Sequence, residues 1–186
     1  MGTVVAAVVG LCGTGKSEAS RILEEQLAAN MIYFGGYVKD EMNRRGLSIT
    51  PENERRVRED MRTTHGMDIV AKLSLPEIQK SISTQTNVVI DGLYSYAEYI
   101  LLRQVLADRL IVIALHASKA TRYRRMSARF ERPLRPEQVD ERDMSEIQNL
   151  QKATTIVMAD HHIVNEHSLA HLGDALAGVL KSSGML

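Results

Sequence analysis

Residues 3–17 read TVVAAVVGLCGTGKS, an apolar run that breaks into three glycines, a lysine and a serine. Gly10-Leu11-Cys12-Gly13-Thr14-Gly15-Lys16-Ser17 fits G-x-x-x-x-G-K-[ST] at every position. A chain built this way must run strand, tight loop, helix. Glycines let the loop fold back so that successive N–H groups converge on phosphate oxygens, and the helix that follows adds the partial positive charge of its N-terminus. Gly10, Cys12, Gly13, Thr14 and Gly15 are therefore expected to cradle the phosphates. Lys16 would reach the β- and γ-phosphates, and the Ser17 hydroxyl would take one place around Mg²⁺. The cofactors expected are ATP and Mg²⁺.

The remaining pattern alternates. Continuous apolar runs at Thr3–Val9, Asn87–Ile90, Arg109–Leu115 and His161–Val164, with a weaker one at Met31–Phe34, read as strands covered on both faces. Helical patterns lie between them, at Lys16–Ala29, Tyr37–Arg45, Glu52–His65, Ile69–Ser83, Tyr96–Leu106, Lys119–Phe130, Asp140–Ala159 and Leu169–Leu180. Thr50-Pro51 is a good helix start, whereas Pro76 should kink or divide its helix. The expected fold is α/β, a three-layer, doubly wound parallel sheet of five strands in the order 2-3-1-4-5, with its site at the carboxyl ends of the strands. One domain covers 1–186: a core of 1–34, 84–121 and 140–186, a helical acceptor-side insertion at 35–83, and a lid at 122–139. Glu131–Glu137, with two prolines, is the expected mobile loop.

Bulk properties exclude several classes. With 23 basic and 23 acidic residues, no global field draws the chain to nucleic acid or an anionic membrane. Absence of Trp leaves few stacking platforms for single strands. No apolar run approaches a membrane span, and no signal-peptide pattern opens the sequence. The lone Cys12 allows no internal disulfide, so the expectation is a cytoplasmic protein, monomer or homodimer, acting on a small molecule. Cys12 itself contributes backbone only.

A phosphate loop alone does not separate kinases from other nucleotidases. Asn-Lys-x-Asp, the usual guanine reader, is absent, and large motor ATPases need more chain. Three features favour phosphoryl transfer. Val88-Val89-Ile90 ends in Asp91-Gly92, which sets a carboxylate at the end of a core strand, where it could order Mg²⁺ or contact an acceptor, with Gly92 leaving room beside it. Arg122, Arg125, Arg129 and Arg132 recur at spacings of three and four, a like-charged row that an anion would offset. Arg142-Asp143 follows the loop and could bring further charge over the nucleotide.

These stretches, with Ala159-Asp160-His161-His162-Ile163-Val164-Asn165-Glu166, resemble the nucleoside monophosphate kinase and dephospho-CoA kinase branch of P-loop kinases. Lys39–Gly46, Glu52–Gly66 and Leu75-Pro76 resemble a group of small relatives of adenylate kinase and dephospho-CoA kinase more closely still. The resemblance implies that Gly13, Gly15, Lys16 and Ser17 bind donor phosphates and Mg²⁺, that Asp91 stands near metal and acceptor, and that Arg122, Arg125 and Arg129 are lid arginines. It also implies that Asn165 lies in a loop against the adenine. Two positions depart from it. Gly35-Gly36-Tyr37-Val38-Lys39 stands where those kinases carry Gly-Asp-x-Leu-Arg, and Leu93-Tyr94 follows Asp91-Gly92 where an arginine is usual. Lysine is a point charge and tyrosine a single hydroxyl, so Lys39, Gly92, Tyr94 and Arg55 make a weaker expected acceptor site.

Other features carry less. His161 and His162 point to opposite faces of a strand and cannot easily share a metal. Nine scattered methionines read as core packing. The alternating charges from Glu52 to Arg62 read as a solvated helix or part of the acceptor side. The function expected is transfer of the ATP γ-phosphate to a nucleotide or nucleotide-like molecule. The alternatives are a regulatory ATPase with a degenerate acceptor site, or an RNA-associated protein using the arginines from Arg122 to Arg135.

Overall fold

A computed structural model describes residues 2–130 and 132–184. Its elements run β1 (Val5–Val9), α1 (Lys16–Leu27), β2 (Asn30–Tyr33), α2 (Phe34–Arg44), α3 (Pro51–His65), α4 (Ile69–Ser83), β3 (Val88–Asp91), α5 (Tyr96–Leu106), β4 (Leu110–His116), α6 (Lys119–Ser127), α7 (Pro136–Leu150), α8 (Lys152–Val157), β5 (His161–Val164) and α9 (Leu169–Ser182). The strands form one parallel sheet in the order β2-β3-β1-β4-β5, as the alternating pattern predicts.

Both faces are covered, which is why the strands read as unbroken apolar runs. Val5, Ala7 and Val9 face a layer that includes Val70, Ile78, Tyr99 and Leu102 from α4 and α5. Ala6 and Val8 face Leu23 of α1 and Leu172, Leu176 and Leu180 of α9. Each large aliphatic side chain buried this way contributes about 1.5–3 kcal/mol. A smaller cluster of Val38, Met42, Val57 and Met61 ties α2 to α3. The register Val8↔Asp91 carries β3 to the same level as the end of β1, beside the phosphate loop.

Several boundaries differ from the sequence reading. Pro76 lies inside a continuous α4. One missing hydrogen bond there is outweighed by burial of Val70, Ala71, Ser74 and Ile78. Helix α2 begins at Phe34 and runs through Gly35-Gly36, because the buried Phe34 fastens its first turn to the core. Helix α6 ends at Ser127, short of Phe130. The expected helix at Asp140–Ala159 starts four residues earlier, on Pro136 as a first helical residue, and breaks at Gln151, which takes a left-handed conformation (φ 51°, ψ 34°). The expected loop at Glu131–Glu137 is irregular through Arg135, with Glu131 outside the described residues.

Candidate phosphate and acceptor site

The phosphate loop is held from outside. Gly15, the residue before α1, sits at φ 94° with the Asn165 amide so close that a Cβ would stand 2.4 Å from its Nδ2. Only glycine fits there. Asn165 donates from Nδ2 to the Thr14 carbonyl at 2.9 Å. Its buried side chain is thus engaged by the loop, whereas the resemblance sets this position in a loop against the adenine. Next to it, Glu166 accepts from the Ser118 N–H and, at 2.5 Å, from the Thr121 hydroxyl, joining the β5 end to the start of α6.

Arg122 is 4% exposed and pairs with Asp143 at 2.6 Å while donating to the Cys12 carbonyl at 3.2 Å. The expected four-arginine face therefore resolves into separate tasks. Arg122 is a strut under the loop, Arg125 reaches the Gly13 carbonyl at 3.4 Å, and Arg129 is exposed past the end of α6. Arg132 pairs with Glu54 of α3 at 2.7 Å. The row fails because α6 stops at Ser127, so helical spacing no longer aligns the later residues.

Lys16 donates to the Leu11 carbonyl at 2.8 Å. Burial and the neighbouring Lys152 pull its pKa down to about 7. Lys152, Arg142 and Glu146 form the charged centre that sequence reasoning did not assemble. Lys152 is 0% exposed, meets Glu146 at 2.6 Å, and stands 4.6 Å from the Tyr94 ring centroid. Arg142 reaches the other oxygen of Glu146 at 2.9 Å. Burial works to raise the Glu146 pKa, but Lys152, Arg142 and Lys16 overcome it and hold the carboxyl at about 2. Lys152 and Arg142 flank one carboxylate, and Lys16 adds a third positive charge when it is protonated. That excess positive charge in a partly dehydrated pocket suits an anion of several charges.

Burial raises the Asp91 carboxyl above its usual range, against Lys16 and the Ser17 and Ser20 hydroxyls. A carboxylate and a serine hydroxyl facing each other at the loop are hard oxygen donors of the kind Mg²⁺ takes, so Ser17 and Asp91 fit the ion. Among the described residues no group of three or more His, Cys, Asp or Glu is arranged for another metal. His116 and His162 stand 3.0 Å apart, nitrogen to nitrogen, without a third ligand of that kind. Cys12 donates weakly to Asp143 at 3.6 Å, and burial raises its pKa, which leaves an unreactive thiol.

On the far side of β3, a small, partly open cavity of about 20 Å³ is lined by Tyr33, Phe34, Val38, Glu54, Arg58, Arg62 and Tyr94. Gly92 (φ 101°) lets the Tyr94 ring fold back to where a Cβ would stand 2.8 Å away. Of the expected acceptor residues, Tyr94 lines this cavity and Gly92 backs it. Arg55 is exposed on the outer face of α3 and Lys39 lies over the Tyr33 ring at 5.6 Å, neither of them lining the cavity. The helical period explains the correction: Glu54, Arg58 and Arg62, four apart, share the inner face, and Arg55 does not.

Comparisons with known proteins bear on the family and the fold. The family model AAA_18, described as an AAA domain, matches residues 7–148. A UPF0200 protein of Aeropyrum pernix is 35% identical, over 91% of this chain and 88% of its own. A UPF0200 protein of Thermococcus sibiricus is 31% identical, over 89% and 88%. Among solved structures, a shikimate kinase from Bacteroides thetaiotaomicron matches with TM-score 0.62 and 13% identity, over 96% of this chain and 98% of its own. A gluconokinase from Sinorhizobium meliloti matches with TM-score 0.58 and 16% identity, over 98% and 94%. The architecture is that of P-loop small-molecule kinases, and neither structural match is named as a nucleoside monophosphate kinase or a dephospho-CoA kinase. The chain is a member of the AAA_18 family and of the UPF0200 proteins.

Proposed function

We propose that the protein transfers the γ-phosphate of ATP to a small-molecule acceptor, a nucleotide or nucleotide-like compound, bound over the mouth of the cavity beside Tyr94. The observation that carries this reading is the junction of two sites at one aromatic ring. Tyr94 lines the acceptor cavity and lies under Lys152, whose neighbours Lys16 and Arg142 belong to the phosphate side.

In this mechanism the loop N–H groups and Lys16 bind the donor phosphates. Lys152 and Arg142 neutralise charge that builds on the transferring group, with Glu146 fixing both. Mg²⁺, held through Ser17 and Asp91, would supply a further positive charge between the phosphates. Asp91, with its raised pKa, can receive a proton if the acceptor is a hydroxyl; a phosphate acceptor is already ionised and needs no base. Gluconokinase and shikimate kinase, by their names, act on small acids, and the same fold supports that choice of acceptor as well as a nucleotide. Incubation with labelled ATP, Mg²⁺ and a panel of nucleotides, nucleosides and hydroxy acids should yield one labelled acceptor, and Lys16→Ala should abolish its formation while the circular dichroism spectrum stays native. Release of inorganic phosphate alone, or full transfer by Lys16→Ala, would overturn the assignment.

A further inference from the structure

The inner face of α3 holds two arginines for which the described residues provide too little negative charge. Arg62 is 7% exposed and its Nε is buried without a hydrogen-bond partner among those residues. Its carboxylate neighbour, Glu98, is fully buried, and Glu98 Oε1, 3.6 Å from Arg62 Nη2 and beyond a good hydrogen bond, is itself without a hydrogen-bond partner among the described residues. Glu98 Oε2 is already occupied by the N–H groups of Tyr94 (2.9 Å) and Ser95 (2.8 Å), so the capping of α5 consumes half of that carboxylate. One turn earlier, Arg58 has Glu54 at 4.0 Å, while Glu54 gives its other oxygen to Arg132 at 2.7 Å. An unpaired guanidinium donor at such depth is costly and calls for an acceptor atom in the cavity it lines.

We propose that Arg58 and Arg62 form a subsite for a singly charged oxyanion carried by the acceptor molecule, a carboxylate or a phosphodiester. This assignment rests on the phosphotransferase reading for the word acceptor, but the anion subsite stands on its own geometry. Charge sets the valence. Arg58, Arg62 and Arg132 bring three positive charges to this wall, Glu54 and Glu98 remove two, and one negative charge completes the balance. A dianionic terminal phosphate would leave an excess of negative charge among apolar groups. Two guanidinium forks on one helix face can take both oxygens of such a group. Phe34, Val38 and Val70 supply an apolar wall for the carbon skeleton.

The test uses the full-length Lys16→Ala chain, so that the phosphate loop does not compete. Side-chain Nε–Hε resonances of Arg62 are followed by NMR during titration with acetate, dimethyl phosphate and methyl phosphate, with chloride as the ionic-strength control. A saturable shift with acetate or dimethyl phosphate is expected, and the tighter of the two names the acceptor as an acid or as a diester-bearing, nucleotide-like compound. Arg58→Gln should raise the half-saturating concentration at least about tenfold, about 1.4 kcal/mol. Arg62→Lys, which keeps the charge but removes the fork, is followed through the Arg58 Nε–Hε resonance and should weaken binding similarly while the backbone spectrum stays native. No saturable shift, an Arg58→Gln titration that matches the parent, or tighter binding of dianionic methyl phosphate would overturn the subsite. A failed acceptor panel with the shift intact would overturn the transfer reading and leave the subsite standing; transfer without the shift would do the reverse.

Discussion

Removing the charge of Glu146 should expose what holds Lys152 and Arg142 in place. Glu146→Gln keeps the shape and most hydrogen bonds but deletes the one negative charge shared by Lys152 at 2.6 Å and Arg142 at 2.9 Å. With an effective dielectric of about 20, each contact represents about 6 kcal/mol of gross attraction. Most of that offsets the dehydration of the ions. Breaking a buried pair from one side typically costs about 3–5 kcal/mol, because the surviving charge is stranded. That is a large share of the roughly 5–15 kcal/mol that holds a domain folded. The urea midpoint should fall by about 1–3 M, taking a slope of about 2 kcal/mol per M. The decisive measurement is the second substitution. Lys152→Met added to Glu146→Gln removes the stranded, fully buried cation and should restore part of the lost stability, so the double variant unfolds at higher urea than the single one. Inorganic tripolyphosphate should also rescue Glu146→Gln, by supplying anion in place of carboxylate. If the two substitutions simply add, or if Glu146→Gln unfolds like the parent, the charged centre described around Tyr94 does not exist.

Two further outcomes follow from the loop. Lys16 has a folded-state pKa of about 7 against an ordinary value of 10.5, so the fold disfavours its charged form: stability rises between pH 7 and 10.5 as the folded chain sheds a proton the unfolded chain keeps. A bound polyphosphate reverses that preference, and binding of ATP at pH 8 should take up close to one proton, measured by calorimetry in buffers of different ionisation enthalpy; zero uptake refutes the shifted lysine. Asn165→Ala should remove the strut on Thr14 and weaken ATP binding about tenfold or more, while costing about 1–2 kcal/mol of stability in thermal unfolding; unchanged affinity would mean that the loop holds its shape unaided.

The sheet was legible because its central strands β1, β3 and β4 are buried on both faces, so hydrophobic runs mark them, whereas the half-exposed edge strand β2 gave a weaker signal. The loop was legible because phosphate binding restricts residue type at each position. The acceptor side and lid were harder for physical reasons. Arg122 and Arg125 look equivalent in a helical projection, yet one is a buried strut and the other partly exposed, a difference set by Asp143 from another helix. Lys152 carries no local mark of burial; its place depends on a left-handed turn at Gln151, a residue with no special preference for that conformation. Arg142 and Glu146, four apart, could have been paired from spacing alone. On α3 the charges alternate so evenly that the buried positions Val57 and Met61 were needed to say which face is inside, and they point Arg58 and Arg62, rather than Arg55, at the cavity.

The struts on the phosphate loop also set an order of assembly. Cys12 and Thr14 receive their hydrogen bonds from Arg122 and Asn165, residues 110 and 151 positions later in the chain. During synthesis the loop emerges well before Arg122 and Asn165, but its shape is fixed only after β5 has docked, since contacts of such separation close late. A nascent or truncated chain therefore exposes the motif without the cradle. The loop reaches its final shape only together with the β5 end of the sheet, so its geometry reports on completion of the fold.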